Sequence, residues 1–156
     1  MLPDDLGRRR TLFIHWCRND IYAAEFLMEI CEIVRLADDI ADEAEHRHRN
    51  VEWLLHRALT VLPRNPFFVA HTHALAPLMT QALIRWGQSD EWRAGRDAQR
   101  RTFGFVYRED IGGLVSAVAA LIGGYAHGRT VADEFFEIAH ARSVETVDDW
   151  AKEECL

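Results

Sequence analysis

The sequence predicts an all-α protein, a single domain over residues 1–156 built as a bundle of six to eight helices. Three observations lead to this prediction. Apolar residues recur at helical spacing along most of the chain. From Arg8 to Leu62 the sequence contains neither glycine nor proline. No segment shows the alternation of apolar and polar residues that is typical of a half-buried strand, and no internal repeat is visible.

Two helices are expected before residue 50. The first spans about 8–18. Asn19 or Asp20 is expected to cap the second, which spans about 21–49, because short polar side chains accept hydrogen bonds from the free backbone N–H groups of a helix start. The basic residues at 46–49 are expected to close this second helix, since cations favour helix C-termini.

Proline and glycine divide the middle of the chain. Pro63 is expected to stop a short amphipathic helix, and Asn65-Pro66 to start a longer one that ends at Gly87. Pro77 is expected to kink that helix, because proline removes a backbone hydrogen bond. Ser89 or Asp90 can cap the helix that follows. The helices predicted here span 51–62, 66–86 and 91–108.

Three helices are expected in the C-terminal part. Asp110 is expected to cap a helix over 111–127, whose many small residues predict close packing against another helix. Thr130–Asp133 resembles a capping box that opens a helix to about Arg142, and Thr146–Asp149 is expected to open a last short helix. Trp92 and Trp150 are expected near the surface.

Composition narrows the class of protein. The chain has 18 basic and 25 acidic residues and a net charge of −7, which argues against binding to nucleic acid or to an anionic membrane. Three cysteines, without metal-type spacing, and an N-terminus without a signal-peptide pattern predict a reduced, cytoplasmic protein. The uncharged run Ile111–His127 is shorter than the ~20 residues of a membrane span, so no transmembrane segment is expected.

The most distinctive stretch is Arg35–Glu43, which places four carboxylates in six positions of a predicted helix. Asp38 and Asp42 are four apart, as are Asp39 and Glu43, and residues at that spacing share a helix face with about 5–6 Å between β-carbons. Paired carboxylates suit a divalent cation, because Mg²⁺ is often held by one or two carboxylates together with substrate phosphates.

A helical wheel gives the same acids a second interpretation. Glu25, Glu29, Glu32, Asp39 and Glu43 lie opposite the apolar face and can be solvated surface, since charge-laced helix faces are common. Asp38 falls at the edge of the apolar face, where a partly buried acid requires a partner. The sequence leaves both interpretations open.

The pattern Arg-x-x-Asp-Asp-Ile-Ala-Asp-Glu resembles the first aspartate-rich motif of the squalene and phytoene synthase family, which has the all-helical isoprenoid synthase fold. The resemblance covers residues 35–43, and the chain is about half as long as is usual for the family. It implies that Asp38 and Asp42 bind Mg²⁺, which holds a prenyl diphosphate, and that Arg35 contacts a phosphate. Asp39 and Glu43 would supply further ligands or support.

The family carries a second aspartate-rich motif on a later helix. The nearest candidate in this sequence is Asp133 with Glu137, again two acids four apart. If the resemblance holds, these two residues would complete the metal site from a facing helix. The chain is then a metal-dependent prenyl- or diphosphate-binding protein, whether an active Mg²⁺-dependent enzyme or an inactive relative.

Two alternatives stay open. All-α nucleoside triphosphate pyrophosphatases also hold Mg²⁺ with helical acids, and Glu29-x-x-Glu32 followed by Asp39 and Glu43 resembles their pattern with a shorter spacing. The second alternative is a non-enzymatic helical domain that associates with itself, as a homo-oligomer, or with a protein partner. The sequence leaves open whether the chain is an enzyme.

Overall fold

A computed structural model of the chain describes residues 2, 5–42, 45–108, 111–140 and 145–152. Within these residues the fold is all-α, with no strand, which confirms the predicted class. A π-helical turn, Arg57–Val61, and a 3₁₀ turn, Leu62–Arg64, follow the third α-helix. The α-helices are α1 Leu6–Trp16, α2 Ile21–Asp42, α3 Arg47–His56, α4 Pro66–Arg93, α5 Ala98–Tyr107, α6 Ile111–Ala139 and α7 Val147–Lys152.

The described residues fall into two compact units. The N-terminal unit comprises residues 5–72, with α1, α2, α3 and the first turns of α4. The C-terminal unit comprises residues 73–152, with the rest of α4 and helices α5 to α7. That the whole chain forms one domain stays a prediction.

Helix α2 is the central element of the N-terminal unit, where it packs against both α1 and α3. Asp20 caps it, because its carboxylate accepts a hydrogen bond from the Ala23 backbone N–H at 3.0 Å, as predicted. The core of this unit is aromatic and aliphatic. Its fully buried side chains include Phe13, Trp16, Phe26 and Leu27.

The prediction that the second helix continues to residue 49 is wrong. Helix α2 ends at Asp42, and His46 adopts a left-handed conformation with φ 61° before α3 begins at Arg47. The bases of 46–49 therefore open α3 and do not close α2. The last turn of α2 holds acids and no base, and carboxylates are unfavourable at the negative end of a helix dipole, which gives a physical reason for its early end.

Helix α4 begins as predicted and continues further. The Asn65 side chain accepts a hydrogen bond from the Phe68 N–H at 3.0 Å and so caps the helix. The helix runs through Gly87 to Arg93, so the predicted end at Gly87 and the cap at Ser89 or Asp90 are wrong. Ser89 is instead fully buried in the helix.

The irregularity in α4 lies at His71 and not at Pro77. His71 has non-helical angles, φ −116° and ψ 15°. Beside it, the Thr72 hydroxyl donates to the Phe68 carbonyl at 2.7 Å, and such side-chain bonds to the preceding turn bend helices. The boundary between the two units falls between Thr72 and His73, close to this irregularity.

Helix α6 folds back on itself at Gly124. This residue has φ 81° and ψ 176°, a conformation open essentially to glycine alone. A Cβ added to Gly112 would lie 2.7 Å from the Phe135 ring, and one on Gly128 would lie 2.7 Å from Ala120 Cβ. In a straight helix Gly112 and Phe135 would be about 34 Å apart. The two halves therefore form an antiparallel hairpin.

The hairpin confirms one prediction and corrects another. The small residues of 111–123 do allow a second helix to approach closely, and that helix is the other half of α6. The capping box predicted at Thr130–Asp133 is not present, because the helix is continuous there and the Thr130 hydroxyl donates to the Ala126 carbonyl at 3.1 Å. The cap predicted at Asp110 lies outside the described residues.

Helices α5 and α7 pack together around Trp150, which is buried although the sequence suggested a surface position. Asp97 caps α5 at residue 98, seven residues later than predicted. Thr146 and Asp149 cap α7 reciprocally, as predicted. The Trp150 ring contacts Phe105 edge-on, and its carbonyl accepts a hydrogen bond from Arg93 at 3.0 Å. Trp92 is half-buried.

Candidate functional site

The acidic end of α2 is regular helix as far as Asp42. Asp38 and Asp42 thus lie one turn apart, as the sequence predicted. Asp38 is half-buried and Asp42 is exposed. Asp42 pairs with no cation among the residues that the structure describes. Glu43 lies outside the described residues.

Arg35 binds the neighbouring acids of its own helix. Its Nη1 lies 2.5 Å from Asp39 Oδ2, and its Nη2 lies 2.8 Å from Glu32 Oε1, with a further bond from Nε to the same Glu32 carboxylate. The pKa of Glu32 is lowered, chiefly by its hydrogen bond from Arg35. Burial of the Glu32 carboxylate acts in the opposite direction, and the positive charge of Arg57 nearby favours the ionised carboxylate. These bonds use three of the five N–H donors of Arg35, so a phosphate at Arg35 would compete with two carboxylates for its charge.

Arg57 is a residue that the sequence argument missed. It stands at the start of the π-helical turn after α3, and its Nη1 lies 2.8 Å from Glu29 Oε2 on α2. Its Nη2 lies 3.8 Å from Glu32. The Glu29 side chain is only 13% exposed, so the prediction that Glu29 is solvated surface is wrong. The spacing of 28 residues gives no local sequence signal for this pair.

Three of the four acids proposed for the pyrophosphatase-like alternative are therefore neutralised as well, and the fourth, Glu43, lies outside the described residues. Glu29 and Glu32 face Arg57, and Asp39 faces Arg35. One oxygen of Glu29, Oε1, is buried and has no hydrogen-bond partner among the described residues. Such atoms are uncommon in folded proteins.

An open cleft of about 580 Å³ lies beside Glu29 in the N-terminal unit. Its walls come from α1, α2 and the turns before α4, and they mix two arginines, two glutamates and apolar side chains. The residues lining it are Arg10, Tyr22, Glu25, Met28, Glu29, Val61, Leu62, Arg64, Asn65 and Pro66.

The second predicted acidic pair belongs to the other unit. Asp133 and Glu137 lie on the second half of α6, both exposed. The Asp133 carboxylate is 3.5 Å from Arg129, one turn earlier on the same helix. Within residues 2, 5–42, 45–108, 111–140 and 145–152, no three His, Cys, Asp or Glu side chains come close enough to hold a metal ion.

The cysteines offer no reactive thiolate in the described part of the chain. Cys17 and Cys31 are both buried and reduced. Burial raises the pKa of the Cys17 thiol to about 12 and that of Cys31 to about 11. Thiols that stay protonated at neutral pH are weak nucleophiles.

Apolar surface is the feature of the C-terminal unit that the sequence argument did not single out. Leu83 and Ile84 on α4 are 66% and 58% exposed, and Tyr125 at the tip of the α6 hairpin is 83% exposed. Of the most apolar 18-residue stretch of α4, only 11% is buried in the fold. The corresponding share for α6 is 28%. Long helices of soluble proteins normally bury an apolar face.

By length and composition α4 and α6 could each cross a membrane. This weighs weakly against the expected absence of a transmembrane segment, because core helices of soluble proteins have the same composition. The fold-back at Gly124 divides α6 into pieces of about 20 and 23 Å, each shorter than the hydrocarbon core of a bilayer, about 30 Å.

Comparison of the chain with protein-family models, with characterised proteins and with solved structures finds no match.

Proposed function

We propose that this chain is a helical protein-interaction module, which functions by binding another polypeptide. The observation that carries the proposal is the exposure of the apolar stretch of α4. Burying one large aliphatic side chain gains about 1.5–3 kcal/mol, and exposed apolar patches on soluble proteins commonly mark interaction sites. Leu83 and Ile84 supply adjacent side chains of this kind.

A protein partner accounts for this surface better than a bilayer does. The uncharged part of α4 after the irregular His71 extends only to Ile84, because Arg85 follows. These 13 residues, 72–84, span about 20 Å, less than the thickness of a hydrocarbon core. The net charge of −7 also disfavours anionic lipid.

Sedimentation velocity over a concentration series tests the proposal. The wild-type chain is expected to self-associate or, in a mixed lysate fraction, to co-sediment with a partner. Leu83→Glu is expected to abolish this, because it places a charge on the exposed apolar surface. Gln81→Glu, which adds the same charge to another exposed position of α4, is the matched control. A chain that stays monomeric and unaccompanied at all concentrations would contradict the proposal.

A second candidate function rests on Asp38 and Asp42. Their spacing on α2 and the open position of Asp42 support Mg²⁺ binding with a diphosphate, as the resemblance to squalene and phytoene synthases implies. Two carboxylates suffice when substrate phosphates complete the coordination. Bound there, Mg²⁺ would neutralise the charge of a diphosphate. Asp38 and Asp42 would hold the metal, and Asp39 would stay on Arg35.

Calorimetric titration of Mg²⁺ with and without pyrophosphate tests this second candidate. Binding is expected only with both components, and Asp38→Asn/Asp42→Asn is expected to remove it. Glu91→Gln, which removes an exposed acid elsewhere, serves as the control. Heat in excess of a protein-free titration of Mg²⁺ into pyrophosphate that survives the double substitution would rule out the two aspartates as the site.

A further inference from the structure

We infer that the cleft beside Glu29 in the N-terminal unit is a binding site for an apolar molecule that carries a carboxylate and an N–H donor, the chemistry of the C-terminal end of a peptide. The inference does not depend on the exposed surface of α4, because all residues that line the cleft lie between Arg10 and Pro66. It rests on the fixed walls of the cleft, on its uncovered apolar surface and on two polar groups that lack partners.

The walls of the cleft are fixed by two hydrogen bonds between α2 and the segment after α3. Arg57 Nη1 donates to Glu29 Oε2 at 2.8 Å, and the Asn65 side-chain amide donates to the Tyr22 carbonyl at 2.9 Å. The π-helical turn that ends at Val61 lies in this segment, and such turns are rare and frequently occur at functional sites. At about 580 Å³ the cleft has the size of a small-ligand site.

Part of the lining is apolar and is left uncovered by the chain. Tyr22 is 55% exposed and Val61 is 38% exposed. Met28, which is half-buried, lines the same cleft, and methionine side chains adapt to apolar groups of different shape. Removing apolar surface from water is favourable, so this lining favours a ligand with an aliphatic group.

Two polar groups of the cleft have no partner in the part of the chain that the structure describes. Glu29 Oε1 is buried and accepts no hydrogen bond there, because Arg57 binds the other oxygen. Bulk water does not reach a buried atom, so its donor has to be a group that binds in place. Arg64 forms neither an ion pair nor a side-chain hydrogen bond with the described residues.

The charges around the cleft favour an anion. Arg57 neutralises Glu29, and Arg10 lies 3.8 Å from Glu25. With both glutamates paired, Arg64 leaves the cleft with one positive charge in excess. A guanidinium binds a carboxylate especially well, since it can donate two parallel hydrogen bonds.

The C-terminal end of a peptide combines the three features that the cleft requires. Its carboxylate pairs with Arg64, a backbone N–H donates to Glu29 Oε1, and an aliphatic side chain covers Tyr22 and Val61. Because the cleft is open, the rest of a longer chain can leave it.

Calorimetric titration with N-acetyl-leucyl-leucine tests the inference, because this compound carries the carboxylate, the N–H donors and the aliphatic side chains. We expect a dissociation constant of about 10 μM–1 mM, typical of a ligand of this size. The C-terminal amide of the compound is expected to bind about tenfold more weakly, since it has lost the charge. The compound methylated at both nitrogens is expected to lose a similar factor, since it has lost the donors.

Arg64→Gln locates the bound carboxylate. It is expected to weaken binding of the acid about tenfold and to leave binding of the amide unchanged. Arg49→Gln, at an exposed arginine of the same unit outside the cleft, is the matched control. Arg64 is exposed as well, so both variants are expected to fold.

A decapeptide that ends in Leu-Leu distinguishes the two sources of this chemistry. Binding at least as tight as that of the dipeptide would assign the cleft to the end of a longer chain. Binding of the dipeptide alone would assign it to a small molecule of the same class.

Three results would contradict the inference. Absence of heat from the acid at millimolar concentration would overturn it, and so would binding that Arg64→Gln does not weaken. Equal affinity of the methylated compound would overturn the role of Glu29 and leave a bound water as its donor. None of these results bears on the proposed interaction through α4, which sedimentation tests separately.

Discussion

The acidic end of α2 and the exposed face of α4 differ in how far the fold pairs or covers their side chains. The first is conspicuous in the sequence, yet Arg35 and Arg57 neutralise Asp39, Glu32 and Glu29. The second has no distinctive motif in the sequence, yet in the structure Leu83 is two-thirds exposed on an uncharged helix face. The sequence alone therefore draws attention to the first region, whereas the second is visible only in the structure.

The largest effect is expected at the arginine that neutralises the acids from outside α2. Arg57→Met should reduce the free energy of unfolding of the N-terminal unit by about 2–4 kcal/mol, because it leaves the Glu29 carboxylate mostly buried and unpaired. Urea unfolding followed by tryptophan fluorescence measures this. Arg64→Met, at an exposed arginine close in the chain, should change it by no more than about 0.5 kcal/mol. Equal effects would mean that the Glu29 pair carries no stability.

The next effect concerns the hairpin that α6 forms at Gly124. Gly124→Ala should cost about 1–3 kcal/mol, since alanine is strained at φ 81° and ψ 176°. Gly87→Ala is the matched control, because this glycine lies inside a helix with open space in front of it. It should be neutral or slightly stabilising. A tolerated Gly124→Ala would show that α6 is straight.

A smaller effect on the free energy of unfolding is expected when the pH is lowered. Because the pKa of Glu32 is lowered in the folded chain, its ionised form contributes stability at pH values above its ordinary pKa of 4.5. That contribution is lost as the pH falls below about 4.5 and through the lowered value. Arg35→Met should make this loss shallower and cost no more than about 1 kcal/mol at pH 7, since Arg35 is half exposed. Unfolding curves at pH 7, 5 and 3 for both proteins measure the difference. If both proteins lose the same stability between pH 5 and pH 3, the pairing of Arg35 with Glu32 contributes little.

The smallest effect is expected on the other side of the comparison. Leu83→Glu should change the free energy of unfolding of the dilute monomer by less than about 0.5 kcal/mol, because a 66% exposed side chain makes few contacts within its own chain. Its effect should appear only in association. A loss of about 2 kcal/mol or more at high dilution would indicate that Leu83 belongs to a core and not to an interface.

Local signals predicted the fold best. The caps at Asp20, Asn65 and Thr146–Asp149 are where the sequence placed them, because each depends on residues within three positions. The end of α2, the continuation of α4 through Gly87 and the burial of Trp150 depend on packing that no local pattern records. A conformation such as that of Gly124 leaves only a glycine in the sequence, indistinguishable there from its neighbour Gly123.

For the candidate site, the sequence placed Asp38 and Asp42 one turn apart on a helix, which the structure confirms. Their role, and those of Asp133 and Glu137, stay predictions. The partners of Glu29 could not be foreseen, because Arg57 reaches it from 28 residues away. Exposure of the apolar surface of α4 was equally hidden, since an uncharged helical stretch is typical of a buried helix.

One measurement compares the two regions in a single experiment. Hydrogen exchange of the wild-type chain is followed by mass spectrometry at low and high protein concentration, each with and without Mg²⁺ and pyrophosphate. We expect slower exchange in residues 76–90 of α4 at high concentration, with the acidic end of α2 unaffected by concentration. Unchanged exchange in α4, together with protection of α2 near Asp38 and Asp42 by Mg²⁺ and pyrophosphate, would contradict the association account and make the diphosphate site the function to pursue.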